Sequence, residues 1–342
     1  EPLTDRPGPR LSPTADVLSD VLRTVRLSGV AYFDFELTAP WVAEAPPSSE
    51  IAGVVMPGAE HVIEYHLVAR GAAWGHRVGE APIRLHEGDL LVFPQGDAHV
   101  LSSAPGMRAA PDIAMYARPS TPLPLVYELG GGGRETSRLI CGFYGYDARP
   151  YNPLLASLPP VIHLSASDRD TAAGPLGTLL ALAVRETRGA RPGAENVLSR
   201  LSELLFVEAV RQCLHTQPKQ HGWLAGLRDP IVGRALEALH AAPRDAWTVE
   251  GLGRAVGVSR SVLAERFTEM VGHPPMHYLT LWRMQLAARF LHDGQSVVAA
   301  ADAVGYASEA AFSRTFKKLM GASPALWRRN AKGNGDGTLV QA

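Results

Sequence analysis

The sequence predicts an α+β multidomain protein with an N-terminal β-barrel or sandwich, a helical linker, and an all-α C-terminal domain carrying two helix-turn-helix motifs. Three observations predict it. Between Val30 and about His163, short apolar runs recur between Gly, Pro and Asp breaks, as in closely spaced strands. From about residue 171 the apolar positions recur with the 3.6-residue period of helices. Within the C-terminal part the text repeats itself at an offset of 49 residues.

The bulk properties agree. A chain of 342 residues has room for two or three domains, and 46% apolar with 20% charged residues is a globular balance, which excludes a collagen-like or wholly disordered chain. Two cysteines permit at most one disulfide, so a disulfide scaffold is excluded. The most apolar helical stretch, Val197 to Leu214, carries Arg200, Glu203, Glu208 and Arg211, so no membrane span is expected. The first ten residues, EPLTDRPGPR, hold no apolar signal core, and the expected location is the cytoplasm. The net charge of −1 is unevenly spread. Residues 220–330 carry 13 Lys and Arg against 9 Asp and Glu, whereas 1–219 carry 19 against 24. A basic C-terminal part beside an acidic N-terminal part points to nucleic-acid contact.

Taken in order, residues 15–28 place apolar side chains at 17, 18, 21, 22 and 25, which is helical spacing. The strand-like runs follow: AYFDFEL, HVIEYHLVARG, PIRLHEGDLLVFPQGDAHV, LPLVYELGGGG and SRLICGFYGYD. The Gly130–Gly133 run lacks a following Lys-Ser/Thr and is no phosphate loop. Residues 171–187 and 194–215 read as two helices, HTQPKQHG (215–222) as a linker, 229–329 as helical throughout, and AKGNGDGTLVQA as a disordered tail. The predicted domains are 1–165, a sensing barrel; 166–222, a helical dimerisation or coupling region; 223–330, a DNA-binding domain; and 331–342, the tail.

The repeat carries the functional expectation. At the common offset Ser259 falls on Ser308, Leu263 on Phe312, Phe267 on Phe316, Gly272 on Gly321, Pro275 on Pro324 and Tyr278 on Trp327. Each copy reads helix, tight turn, helix. Thr248 and Ser296 suit helix starts, Gly257 and Gly305 the turns, and Ser259 and Ser308 the caps of the second helices. Apolar residues four apart share one buried face of those second helices. Met276 to about His292 reads as a longer connecting helix.

The text WTVEGLGRAVGVSRSVLAERFTEMVGHPPMHYLTLWRMQLAARFLHDG, followed by VAAADAVGYASEAAFSRTFKKLMGASPALWRR, resembles the AraC/XylS family of transcription regulators. The resemblance implies a seven-helix domain whose two recognition helices enter successive major-groove segments on one face of DNA. B-DNA repeats every ~34 Å, so a rigid connecting helix must hold the motifs about that far apart. The face offered to bases holds Arg260, Ser261, Ala264 and Glu265 in the first copy and Glu309, Ala310, Ser313 and Arg314 in the second. Arg314 can read guanine bidentately, and Ser313 can donate or accept. Glu265 is an acidic departure from the longer polar or basic residues common in the family, so the second motif is expected to carry most base specificity. Lys317, Lys318, Arg328 and Arg329 are the natural phosphate contacts.

The segment EYHLVARGAAWGHRVGEAPIRLHEGDLLVFPQGDAHVL resembles a cupin, through Gly71, the Gly88-Asp89 turn and Pro94-x-Gly96-x-x-His99. This resembles the ligand-sensing and dimerisation half of one AraC-type subgroup. The first cupin motif, with two histidines one residue apart, is absent. By strand alternation Glu64, His66, Val68 and Arg70 share one face. His66, His99 and Cys141 form an N/N/S set suited to zinc or another transition metal. The other reading of the barrel is an organic-effector pocket lined by Trp74, Phe93 and Tyr116. His61, His76, His86 and His163 read as surface or structural residues, and Cys213 receives no role. No nucleophile–base–acid constellation is visible, so no enzyme is expected. The expectation is a cytoplasmic regulator of transcription that binds a double-stranded operator, responds to a small-molecule or metal effector, forms a homodimer and acts on RNA polymerase. The alternative is a metal-dependent cupin enzyme fused to a DNA-binding domain.

Overall fold

A computed structural model describes residues 16–24, 28–57, 59, 61–117, 123–146, 152–166, 174–187, 191–216 and 222–335. The chain divides into two compact units, one of residues 25–148 and 154–217, the other of 218–342 with 1–24 and 149–153.

The first unit is built on two sheets. Strands β1 (Ser28–Thr38), β3 (His61–Arg70), β6 (Leu90–Phe93), β8 (Leu125–Gly130), β9 (Thr136–Tyr146) and β10 (Ile162–Leu164) form one sheet in the order β10-β6-β3-β9-β1-β8. Strands β2 (Val42–Ala45), β4 (Ala72–Arg77), β5 (Ile83–His86) and β7 (His99–Ser102) form the other, in the order β2-β7-β4-β5. Side chains from both sheets, among them Phe33, Val68, Leu85, Leu91, Leu101, Leu139 and Phe143, make one apolar core. Helices α2 (Pro175–Thr187) and α3 (Ala194–Thr216) belong to the same unit.

The two faces of β3 serve different neighbours because successive side chains alternate. Val62 and Val68 join the core between the sheets, and Glu64 and His66 share their face. Tyr65 points the other way and bonds the hydroxyl of Ser202 on α3 at 2.7 Å. On that side Tyr65 packs on Tyr144, and Tyr144 on Phe206, with ring centroids 4.8 and 5.1 Å apart. A Cβ at Gly29 would lie 2.7 Å from the Ser202 Cβ, so the glycine is what lets β1 approach α3. Of the leucines aligned on α3, Leu198, Leu201 and Leu205 are buried within the chain, while Leu204 remains half exposed.

The second unit is helical: α1 (Val17–Thr24), α4 (Trp223–Arg228), α5 (Val232–Ala241), α6 (Val249–Val256), α7 (Arg260–Val271), α8 (Pro275–His292), α9 (Val297–Ala303), α10 (Glu309–Met320) and α11 (Pro324–Gly335). Three expectations change here. Helix α1, expected within 1–165, packs against α5 and α8 through its buried Val17 and Val21 and so groups with the helical unit by contact. Residues 223–330 hold eight helices rather than seven, because Pro230 disfavours helix at Asp229 and divides α4 from α5. The tail expected from 331 continues α11 to Gly335, with 336–342 outside the described residues. Of the expected linker at 215–222, His215 and Thr216 belong to α3, and 217–221 lie outside the described residues.

Internal duplication is explicit. Helices α7 and α10 are each 12 residues long, and each ends at a glycine, Gly272 at φ 78° and Gly321 at φ 76°. Helices α8 and α11 then both start at a proline. Helix α8, with 18 residues, spans roughly 27 Å. Near its start Tyr278 Oη is hydrogen-bonded to His240 Nε2 (2.8 Å) and accepts from Trp223 Nε1 (3.0 Å), tying α4, α5 and α8 together.

Candidate functional site

Two sites emerge, one in each unit. In the helical unit Thr248 Oγ1 accepts from the Gly251 N–H at 3.0 Å and starts α6, which ends at Gly257 with φ 80°. Ser259 Oγ then accepts from Val262 N at 3.3 Å to start α7. The second copy repeats this. Ser296 accepts from Ala299 N at 3.1 Å, Gly305 takes φ 80°, and Ser308 accepts from Ala311 N at 3.4 Å to start α10. Leu263 and Phe267 on α7, and Phe312 and Phe316 on α10, are fully buried. That burial fixes which face each second helix presents.

The opposite face is the predicted one. Arg260, Ser261 and Glu265 are exposed and Ala264 is half-buried on α7, while Glu309, Ala310 and Arg314 are exposed and Ser313 is half-buried on α10. Lys317 and Lys318 are exposed on the last turn of α10. The repeat aligns Glu309 with Arg260 and Arg314 with Glu265, so the two faces carry inverted charges at two equivalent positions. Arg266, which the sequence reading passed over, is occupied. Its Nε donates to Asp229 Oδ2 at 3.0 Å. Asp229 Oδ1 in turn accepts from Ile231 N and Val232 N, both at 2.9 Å, capping α5. Burial alone would raise the Asp229 carboxyl, but Arg266 and these two N–H groups outweigh it and hold it below its ordinary value. No ion pair among the described residues engages Arg260, Arg314, Lys317 or Lys318.

Between the two sheets of the other unit lies a cavity of about 150 Å³. Its walls include Phe33, Phe35, Trp41, Leu101, Tyr116 and Phe143, with Glu64, His66, His99 and Cys141 supplying polar atoms. Of the three aromatics expected there, Tyr116 lines it. Trp74 instead holds Arg84 over its ring at 5.2 Å, and Phe93 stacks on His99 with centroids 3.9 Å apart. Among the described residues, Glu64, His66 and His99 form a cluster whose candidate ligand atoms all lie within 4.8 Å of one another. The two Nε2 atoms are 2.7 Å apart, and Glu64 Oε2 is 3.8 Å from His99 Nε2. The three residues are 1%, 6% and 1% exposed.

Cys141 is therefore displaced from the expected trio. It sits opposite His66 in the β3–β9 register and lines the same cavity, but its short side chain stays outside the cluster and its place is taken by Glu64. The signal for Glu64 was the strand alternation that already set it beside His66. Burial pushes the Cys141 thiol well up, with Glu64 and Asp34 adding to the effect, so it is a neutral thiol. Burial raises the Glu64 carboxyl to about 8 and lowers His99 to about 4. His76 is buried, and His163 bonds the Asp89 carboxylate at 3.0 Å, so both are structural.

Comparison with known proteins bears on both units. The family described as Cupin matches residues 16–215, and the family described as Helix-turn-helix domain matches 252–330. A Streptomyces lividans protein named as an AraC-like transcription regulator is 34% identical over 278 residues, 80% of this chain and 88% of that protein. The HTH-type transcriptional regulator AlkR of Acinetobacter baylyi is 29% identical over 278 residues, 78% of this chain and 91% of that one. Among solved structures, the C-terminal domain of AraT, a response regulator from Geobacillus stearothermophilus, is 33% identical. It covers 30% of this chain and 86% of its own, with a TM-score of 0.29. No helix among the described residues is long and apolar enough to cross a membrane.

Proposed function

This chain belongs to the AraC-like transcription regulators with an N-terminal cupin domain, and from that premise we propose how its two sites work together. Helices α7 and α10 read an operator in double-stranded DNA, with α10 supplying most of the base discrimination. Arg314 reads a guanine edge, Ser313 a neighbouring base, and Lys317 and Lys318 hold phosphates. The observation that carries this reading is the duplicated helix–turn–helix whose outward face holds cations unclaimed by any described ion pair. Glu265 faces the duplex as a repulsive group unless it accepts from a cytosine amino group, so α7 chiefly positions the domain.

The barrel cavity receives a small effector. A volume of about 150 Å³ with aromatic walls suits a compact apolar molecule about the size of a benzene ring. The strand carrying Glu64 and His66 on its cavity face carries Tyr65 on the other, bonded to α3. An effector that shifts β3 therefore acts directly on α3, the helix that precedes the DNA-binding unit in the chain. A second copy packs on the α2–α3 face, where Leu182, Val197 and Leu204 are exposed. The dimer works in the cytoplasm, without catalysing a reaction of its own, by controlling RNA polymerase at the bound promoter.

The experiment is genome-wide capture of DNA by the full-length protein, followed by titration of a captured duplex against random duplex. Tighter binding of the captured sequence at physiological salt is expected. Equal affinity for both overturns the reading.

A further inference from the structure

We propose that Val262 is the residue through which α7 reads sequence, by packing its isopropyl group on the 5-methyl group of one thymine in the major groove. The inference rests on the reading of α7 and α10 as the helices that face DNA, and it adds a base contact to the helix assigned there to positioning.

Val262 is 45% exposed, and among the described residues of α7 and α10 it is the only exposed large apolar side chain. Helix formation does not ask for it there. A β-branched residue is a poor helix former, and the first turn of a helix favours acidic side chains. Its direction follows from the burial of its neighbours. At roughly 100° per residue, Val262 stands about 100° from Leu263 and about 140° from Phe267, both fully buried. Ala264, the other apolar candidate on this face, stands only about 60° from Phe267, and it is half-buried. Val262 therefore points outward where Ala264 flanks the core.

The backbone holds that side chain where a base can meet it. The Val262 N–H donates to the Ser259 cap at 3.3 Å, which sets Val262 in the first turn of α7. The N-terminal residues of a recognition helix are those that reach base edges. A valine in a helix keeps almost always to one χ1 rotamer, so its methyl groups are presented at little entropic cost. Its polar neighbours are less suited to the task. Ser261 Oγ lies 3.1 Å from Ser259 Oγ and shares a hydrogen bond with it. Glu265, three positions on and exposed on the same side, repels phosphate. Discrimination by α7 thus falls to an uncharged contact. In the major groove thymine displays a methyl group where cytosine carries only hydrogen. At the aligned position the second copy has Ala311, half-buried and with one methyl group in place of an isopropyl, in keeping with a helix that reads through Arg314 instead.

The test uses full-length protein and a captured operator in which each thymine in turn is replaced by deoxyuridine, which removes the methyl group and keeps the base pair. Affinities of the wild type and of Val262→Ala are measured on every duplex by fluorescence anisotropy. The wild type should bind about 3- to 10-fold more weakly when one particular thymine loses its methyl group. Val262→Ala should bind the unmodified operator more weakly by a similar factor, and should lose nothing further from deoxyuridine at that position. Val262→Thr, of the same shape with a hydroxyl in place of one methyl, should show part of the same coupling, and near-UV circular dichroism checks that both variants keep the fold. A methyl group that acts only through DNA stacking gives the same loss in all three proteins. Additive losses at every thymine therefore overturn the proposal, as does a thymine coupled to Ala264→Ser and not to Val262→Ala. Preference for the captured operator over random duplex with no thymine coupled to Val262 removes this contact and leaves the regulator. Equal affinity for captured and random duplex removes the reading of both helices.

Discussion

Replacing Arg314 with alanine should change what the protein reads without changing how well it folds. The guanidinium is exposed on α10 and is engaged by no ion pair among the described residues. Its removal exposes no buried partner, so folding stability should stay within about 0.5 kcal/mol of the wild type. Its loss on DNA should be larger. A bidentate contact to guanine is worth about 1–3 kcal/mol, which is roughly a 5- to 150-fold rise in Kd on the native operator. Random duplex should lose only the share due to one positive charge. The assay is fluorescence anisotropy on the captured operator, on single-base variants and on random duplex, each at several salt concentrations. In a variant already lacking the guanine that Arg314 reads, the alanine substitution should cost little more, which locates the contact at one base pair. If Arg314→Ala weakens operator and random duplex equally, Arg314 is a phosphate contact and the division of labour between α7 and α10 is wrong.

Three further outcomes follow from the structure. Lys317→Ala should weaken operator and random duplex alike and flatten the log–log salt dependence by about one unit; a base-specific loss would contradict its assignment to phosphate. Asp229→Ala removes the α5 cap and the partner of Arg266 and should cost about 2–3 kcal/mol in urea unfolding at pH 7. The Asp229 carboxyl lies below its unfolded value of about 3.9, so its contribution is complete above that pH and fades as pH falls through the lower folded value. The gap between wild type and variant should therefore narrow in acid, and a gap independent of pH would refute the ionic account. Gly29→Ala drives a methyl to within 2.7 Å of the Ser202 Cβ, and should cost about 1–3 kcal/mol while loosening α3 from β1, read as faster amide exchange along α3; unchanged exchange would refute the close approach.

The helical unit was the more legible in the sequence because its signals are local. Caps, turn glycines and the i, i+4 apolar pairs are fixed by residues a few positions apart, and the 49-residue offset displayed them twice. Every cap assigned there, from Thr248 to Ser308, has its hydrogen bond. The place of α1 was not legible, since an amphipathic helix does not disclose which distant surface covers its apolar face. The barrel was legible along each strand but not across strands. Alternation set Glu64 and His66 on one face and the second motif supplied His99, yet choosing Glu64 over Cys141 as the third member required knowing that the Cys141 thiol ends short of the cluster. Arg266 was missed for the same reason, since its partner Asp229 lies 37 residues earlier and across a turn.

The swapped charges make the outward faces of α7 and α10 unlike. Two motifs that repeat in tandem along one chain already give the pair a direction, since only a pair related by a two-fold axis reads a palindromic site alike in either orientation. Here one copy offers Arg260 and Glu265, the other Glu309 and Arg314, at aligned positions. If both faces meet the duplex as proposed, turning the site end for end would set each acidic group where its cationic counterpart belongs and would weaken binding. Inverting the site would then be expected to reverse the direction in which a lone unit lies along the duplex.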